Sequence, residues 1–395
     1  MIQTHFPIDS FNNLASPFYY YDMDLLRATI HTIQFEIAGS PFQVHYALKA
    51  NVNPAILKVI QAEGLGADCV SGGEVQAAID SGIPADKIVF AGVGKADWEI
   101  NLGLKHNIFC FNVESLAELR VINALASRNN TRARIALRIN PNISANTHAY
   151  ITTGLETNKF GINIPDLDAV IKELVTMHNV QLIGLHVHIG SQITDMSVYV
   201  DMCEKINALQ LHFHALGFDL DHINVGGGLG INYENPDQAL IPDFAAYFEV
   251  FRKHLKLYPQ QIVHFELGRS IVAQCGSLIT KVLYIKESSN RKYAILDAGM
   301  TELIRPALYQ AMHHIQNLSS ELPEEKYDVV GPICESSDSF ATDYSLPATQ
   351  RGDLIAIRSA GAYGETMASK YNLRDLPFAF NSDDLRTSRR YVRKR

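Results

Sequence analysis

No apolar run in the 395 residues approaches the ~20 that a membrane-crossing helix needs, so no membrane is expected among the partners of this chain. The opening stretch MIQTHFPIDSF holds neither a basic n-region nor an apolar h-region, and the expected address is the cytoplasm. Cysteines are few: Cys69, Cys110, Cys203, Cys275 and Cys334 are odd in number, widely scattered and without a C-x-x-C pair. That pattern argues against a disulfide framework and against a structural zinc site. Any special cysteine must therefore be special as a thiol. Basic excess is missing too, with a formal net charge of -8 and an isoelectric point near 6.0, so nothing marks a nucleic-acid footprint. The exception is Arg386 to Arg395, where six of ten residues are basic; it reads as a frayed, solvated end. Low-complexity linkers and internal repeats are absent as well, apart from a strand-helix rhythm.

That rhythm is what the sequence does have. Its 47% hydrophobic content supports a large core and more than one domain. Strands are expected near 43–48, 67–70, 87–91, 108–112, 133–139, 181–188, 222–225 and 262–266. Amphipathic helices fall between them, at Glu114 to Ser127, Leu167 to Met177, Met196 to Leu216 and Phe244 to Leu257. About eight strand-helix units over roughly 225 residues match the length of a (β/α)₈ barrel, with a doubly wound open sheet as the competing topology. Lys49, Asp68, Asn112, Arg138, His188, Gly226 to Gly228 and Glu266 all fall at the carboxyl ends of expected strands. Barrel enzymes assemble their sites on that face, which favours the barrel. After Arg269 the pattern becomes mostly β, with strands expected at Gly276 to Lys286, Lys292 to Asp297, Asp328 to Gly331 and Asp353 to Ser359, and a helix at Pro306 to Ile315. The expected division is a barrel over 24–270 and a β-rich domain built from 1–23 plus 271–395, the first strand near Pro17 to Tyr21 joining the latter.

Several clusters carry chemistry. Lys49 ends the buried run Val44 to Leu48, where an ammonium must snorkel, pair with an anion or serve as an amine. Gly226-Gly227-Gly228 follows the seventh strand, where a backbone free of side chains can cradle a phosphate, and Ser191 beyond Gly190 can add a hydroxyl. His186 and His188 share one side of the sixth strand, and only His188 lies near the strand end. Glu266 and Arg269 close the eighth strand, either as an ion pair or as a carboxylate for a ring nitrogen and a guanidinium for an anion. A lysine that can condense with an aldehyde, glycines for a phosphate, an imidazole to lie on a ring and an acid for a ring nitrogen together describe pyridoxal 5′-phosphate. Farther on, Cys334 and Glu335 sit in a Gly-Pro turn, Arg305 and Tyr309 share a helical face suited to a carboxylate, and Tyr363 lies in a glycine turn.

These stretches resemble the diaminopimelate decarboxylases, a family of fold type III pyridoxal-phosphate enzymes with the architecture of alanine racemase and ornithine decarboxylase. The resemblance runs through YALKAN, GADCVSGGE, HVHIGSQ, NVGGGLGI, ELGRS, DAGMTELIRPALY, GPICESSD and GAYGETMASKYN. It implies that Lys49 carries the cofactor, His188 stacks on its ring, and Ser191 with Gly226, Gly227 and Gly228 holds its phosphate. Glu266 would meet the ring nitrogen, with Gly268, Arg269 and Tyr363 completing the cofactor shell. Arg269, Arg305, Tyr309, Glu335 and Tyr363 would bind meso-diaminopimelate, and Cys334 would donate the proton that completes L-lysine. It also implies a homodimer with composite active sites, Cys334 and Glu335 of one subunit serving the other. The alternative is a related decarboxylase of polyamine or basic amino-acid metabolism, acting on carboxynorspermidine, ornithine or lysine, which would differ around CESSD. Family members commonly carry Glu-Pro-Gly-Arg where this chain has Glu266-Leu267-Gly268-Arg269, and the basic tail matches no family feature.

Overall fold

Eight short, buried runs pair side by side to form the larger sheet of the computed structural model, which describes residues 6–143 and 159–387. They are β1 (Phe42–Ala47), β2 (Gly66–Cys69), β3 (Ile88–Phe90), β4 (Cys110–Val113), β5 (Ala133–Asn140), β6 (Val180–His186), β7 (His222–Asn224) and β8 (Ile262–Leu267). Every neighbouring pair is parallel and β8 pairs back onto β1, so the sheet closes into the expected barrel rather than an open sheet. Several helices between strands start where short polar side chains satisfy their first N–H groups. Asn53 accepts from the Ala55 N–H ahead of Pro54–Ala62, Ser71 from Glu74 ahead of Gly72–Asp80, and Ser115 from Glu118 ahead of Leu116–Arg128.

Strand alternation decides what each barrel residue faces. On β8, Phe265 packs its ring against Phe42, Tyr247, Phe248 and Phe251 at centroid distances of 4.9–5.8 Å, tying the strand to the helix Phe244–His254. Its neighbours His264 and Glu266 therefore share the other side. Burying one such ring stabilises by about 1.5–3 kcal/mol, so β8 is held firmly where Glu266 needs it. Toward the amino ends of the strands, three histidines join in a line. His45 Nδ1 lies 3.0 Å from the Lys87 carbonyl, His45 Nε2 lies 2.8 Å from His264 Nδ1, and His264 Nε2 lies 2.9 Å from His222 Nδ1. Since a carbonyl only accepts, each neutral ring must carry its proton on Nδ1 and donate along the line. Phe109 packs against all three rings.

The barrel unit comprises Ile30–Gly230 and Asp243–Gly268, and a second unit comprises Met1–Thr29, Ile231–Pro242 and Arg269–Arg395. The second is organised around the long strand Gly276–Glu287. Its first half pairs with Phe18–Tyr21 and Leu354–Ile357; after an irregularity between Val282 and Tyr284, its second half pairs with Lys292–Leu296. Phe11, Leu14, Phe18, Tyr20, Ile279, Leu354 and Ala356 form a buried cluster there, so the first strand belongs to this sheet.

Two expectations for this unit need correction. The helix placed at Pro306 to Ile315 runs only over Arg305–Tyr309, because Gln310 turns left-handed at φ 53° and Ile315–Asn317 becomes a strand. The strand placed at Asp328 to Gly331 spans Glu324–Val330, its first three residues being exposed and charged. The basic tail from Ser388 onward lies outside the described residues.

Candidate active site

Lys49 stands in a single 3₁₀ turn, Leu48–Ala50, that ends β1. Its Nζ is 3.7 Å from Asp68 Oδ2; the Lys49 side chain is 40% exposed, whereas that of Asp68 is fully buried. The amine can thus meet a ligand while its partner cannot meet water. Burial and the negative charge of Glu266 outweigh Lys49, and the Asp68 carboxyl is pushed up to about 8. Gly268 lies close to the same turn, since a Cβ there would come within 3.1 Å of those of Ala47 and Ala50.

Glu266, 8% exposed, lies two residues before Gly268 on β8. Asn112 and Asn224 donate to its Oε1 at 3.1 and 2.7 Å, and His186 Nε2 lies 3.2 Å from its Oε2. Burial alone would raise its pKa, but His186, by its charge and its hydrogen bond, and then the charge of Lys49 hold it well below the usual carboxylate range. The barrel therefore keeps one carboxyl ionised at Glu266 and a second one protonated at Asp68. Arg138 on β5 donates to Glu114 at 2.8 Å.

The glycine turn is built into the same network. Asn224 Oδ1 accepts from the Gly226 N–H at 2.9 Å, so one amide orients both the turn and Glu266. Gly226 and Gly228 have φ of 65° and 108°, conformations that favour glycine, and a Cβ on Gly227 would meet the Glu266 carbonyl at 1.9 Å. His188 Nδ1 accepts from the Gly227 N–H at 3.2 Å, leaving its other nitrogen for the proton. Burial, followed by the charges of Lys49 and Arg138, pushes the His188 pKa well down, so its ring is neutral. The loop bearing Ser191 is zipped to the turn by Ile193 N–H to the Gly228 carbonyl at 2.8 Å and Gly230 N–H to the Ile193 carbonyl at 2.9 Å. Lys49, His188, Ser191, the three glycines and Glu266 all belong to this unit, and hydrogen bonds link the glycines to both His188 and Glu266.

The second unit assembles a different chemistry. Arg269 and Arg305 are buried, and both guanidiniums lie over the Tyr233 ring, at 5.8 and 5.1 Å, and over the Tyr363 ring, at 5.0 and 6.0 Å. Arg269 donates to the Tyr233 hydroxyl at 2.6 Å. Tyr363 is held left-handed at φ 58°, and Tyr309 closes the short helix that Arg305 begins. Two cations among aromatic rings make a receptor for a carboxylate. Cys334 and Glu335 are exposed on a separate loop: Tyr371 donates to Glu335 Oε1 at 2.6 Å, and the Cys334 N–H donates to Asn372 Oδ1 at 3.4 Å. The other four cysteines are buried. Sequence reasoning gave no role to Asn224, Tyr233, His313 or Tyr371. Asn224 opens the glycine motif and was open to being found there, whereas nothing in the spacing of the other three marks them.

Residues 24–273 match the family model described as pyridoxal-dependent decarboxylase, pyridoxal binding domain. The chain is similar to the diaminopimelate decarboxylase of Bacteroides thetaiotaomicron, with 59% identity over 381 residues, covering 96% of this chain and 99% of that one. It is also similar to that of Helicobacter pylori strain J99, with 41% identity over 387 residues, covering 98% and 94%. A crystal structure of diaminopimelate decarboxylase from Helicobacter pylori complexed with L-lysine superposes with a TM-score of 0.90 at 40% identity, covering 95% of this chain and 94% of that one.

Proposed function

The chain belongs to the pyridoxal-dependent diaminopimelate decarboxylases, and from that membership we propose how its own residues divide the conversion of meso-2,6-diaminopimelate to L-lysine and carbon dioxide. The observation that carries the reading is the ionised Glu266, clamped by Asn112, Asn224 and His186 in the barrel that also offers the Lys49 amine. The barrel residues fit pyridoxal 5′-phosphate: a half-exposed amine beside a buried acid, a left-handed glycine turn for a phosphate, and a neutral imidazole. When bound, the cofactor supplies an electron-accepting ring that stabilises the electron pair freed as carbon dioxide leaves.

Lys49, whose amine is 40% exposed, would hold the cofactor. Gly226, Gly227, Gly228 and Ser191 would bind the phosphate, with Gly268, Arg269 and Tyr363 completing the cofactor shell. Glu266 would keep the ring nitrogen protonated, since a carboxylate held this far down accepts a hydrogen bond from an N–H without taking its proton. His188, being neutral, would flank the cofactor ring without opposing that positive charge. Arg269, Arg305, Tyr309 and Tyr363 grip the carboxylate that is retained, and Glu335 takes the distal ammonium. The Cys334 thiol gives its proton to the carbon that lost carbon dioxide, which completes L-lysine. Region 24–270 would thus carry most of the cofactor groups together with Arg269, while 1–23 with 271–395 would add Tyr363 and carry Arg305, Tyr309, Cys334 and Glu335. The working unit in this reading is a cytoplasmic homodimer, with Cys334 and Glu335 of one subunit serving the other. What supports it is that both are exposed and fastened by neighbours rather than buried.

Purified protein should absorb visible light with its cofactor bound, and Lys49→Ala should lose both that absorbance and carbon dioxide release. An active Lys49→Ala protein with unchanged absorbance would overturn the assignment of Lys49.

A further inference from the structure

Residues 331–338 join the paired strands Glu324–Val330 and Ser339–Pro347 and hold Cys334 and Glu335 in the open. An exposed stretch without helix or strand has little apolar burial to fix its shape, so its hydrogen bonds decide it. Those bonds converge on Asp338, which is 5% exposed while Cys334, Glu335, Ser336 and Ser337 are all exposed. Its Oδ2 accepts from the Ile333 N–H at 2.7 Å, immediately ahead of Cys334, and its Oδ1 accepts from the Met300 N–H at 2.6 Å. Its own N–H donates to the Glu335 carbonyl and its carbonyl accepts from the Gly331 N–H, each at 3.1 Å. Two glycines make the room: a Cβ on Gly331 would come within 2.3 Å of the carboxylate, and one on Gly299 within 2.8 Å. The far end of the contact is firm as well. Glu302, 1% exposed, accepts from the Gly299 N–H at 2.7 Å and from the Thr301 hydroxyl at 2.8 Å, closing the turn that leads into the helix of Arg305.

A carboxylate offers an acceptor on each oxygen and no donor, so it can take both N–H groups at once; an amide in its place would turn its NH₂ group toward one of them. We propose that Asp338 is a positioning residue: its carboxylate, seated between Gly299 and Gly331, fastens the loop to the turn ahead of Arg305 and so sets where Cys334 presents its thiol and Glu335 its carboxylate. Tyr371 and Asn372 meet the same loop at Glu335 Oε1 and at the Cys334 N–H, so it is held at its tip and at its base. The proposal rests on the reading that Cys334 donates a proton and Glu335 takes the distal ammonium, and the two are separable by experiment.

The test uses the holoenzyme, with L-lysine as the calorimetric probe and iodoacetamide as the probe of Cys334, the other four cysteines being buried. Asp338→Asn and Asp338→Ala should weaken L-lysine binding by about tenfold through Glu335 and speed the alkylation of Cys334 by about threefold, with the visible absorbance of the cofactor unchanged. Gly331→Ala keeps the carboxylate but crowds it, and should move both readouts the same way; it decides the matter if an Asp338 variant fails to fold. In a Glu335→Gln background, adding Asp338→Asn should cost no further lysine affinity, whereas a general loss of structure would cost it again. Parent-like lysine affinity and alkylation in folded Asp338→Asn and Asp338→Ala, or a full additional loss in the double variant, would overturn the role of Asp338. A Glu335→Gln protein with normal lysine affinity would instead remove the reading of Glu335 itself, and the alkylation rate would then decide Asp338 alone.

Discussion

Glu266 and Asp68 show how neighbours set the charge of two carboxyls in one barrel. Glu266 is ionised because His186, Lys49 and two amides surround it, so Glu266→Gln should lower kcat by about a hundredfold or more while KM changes little. Steady-state kinetics with meso-diaminopimelate measures this, and a fall in affinity alone would contradict it. Asp68 behaves oppositely, rising from an ordinary 3.8 to about 8. A folded pKa above the unfolded one means that its contribution to stability is full below about 3.8 and fades as pH rises through about 8. Asp68→Asn should therefore lose less stability than the parent between about pH 4 and 8, read from denaturant midpoints. Parallel declines in the two proteins would remove Asp68 as the source. Some of this was open to sequence reasoning: a lysine and an acid at strand ends in a barrel rhythm mark the mouth. The states of the acids were not, because they depend on which atoms fold around them.

Strands and helices were legible where one physical cause dominates. Burial dominates in Ala133–Asn140, seven of whose eight residues are buried, and that strand lies within a residue of its expected bounds. The helix expected to reach Ile315 stopped at Tyr309 because a left-handed Gln310 leaves no compositional trace. Ser339–Pro347 went unread because its residues are mostly half-exposed and it pairs with a strand that starts with three exposed charges. The contacts of Tyr233 with His313 join residues 80 positions apart, which no local spacing reveals. The line of histidines joins β1, β7 and β8, and burial lowers the pKa of each from the ordinary 6.5. A depressed folded pKa makes that contribution full above about 6.5 and lost as pH falls. Denaturant midpoints should drop between about pH 6.5 and 5, and His264→Asn should flatten that drop; an equally steep drop in the variant would contradict the origin given.

At the scale of the whole molecule, the proposed cofactor groups Lys49, His188 and Glu266 belong to the barrel unit and the proposed substrate groups Arg269, Arg305, Tyr309, Glu335 and Tyr363 to the β-rich unit, and the proposed homodimer brings Cys334 and Glu335 from the other subunit. Inactive Lys49→Ala and Cys334→Ala proteins, mixed and allowed to exchange, should recover about a quarter of the parent activity, since half of the dimers would be mixed with one intact site each. Exchange without recovery would mean that each subunit supplies its own thiol. In the proposed reading substrate choice follows from the same division, because Lys49 and Glu266 would serve any amino-acid decarboxylation of this type, whereas two arginines and Glu335 would call for a second carboxylate and a second ammonium. The most direct measurement is carbon dioxide release by the purified holoenzyme from a panel of meso-diaminopimelate, L-lysine, L-ornithine and carboxynorspermidine. Release from meso-diaminopimelate with L-lysine as product, and little from the other three, is the expected result; preferential turnover of any of those three would contradict it.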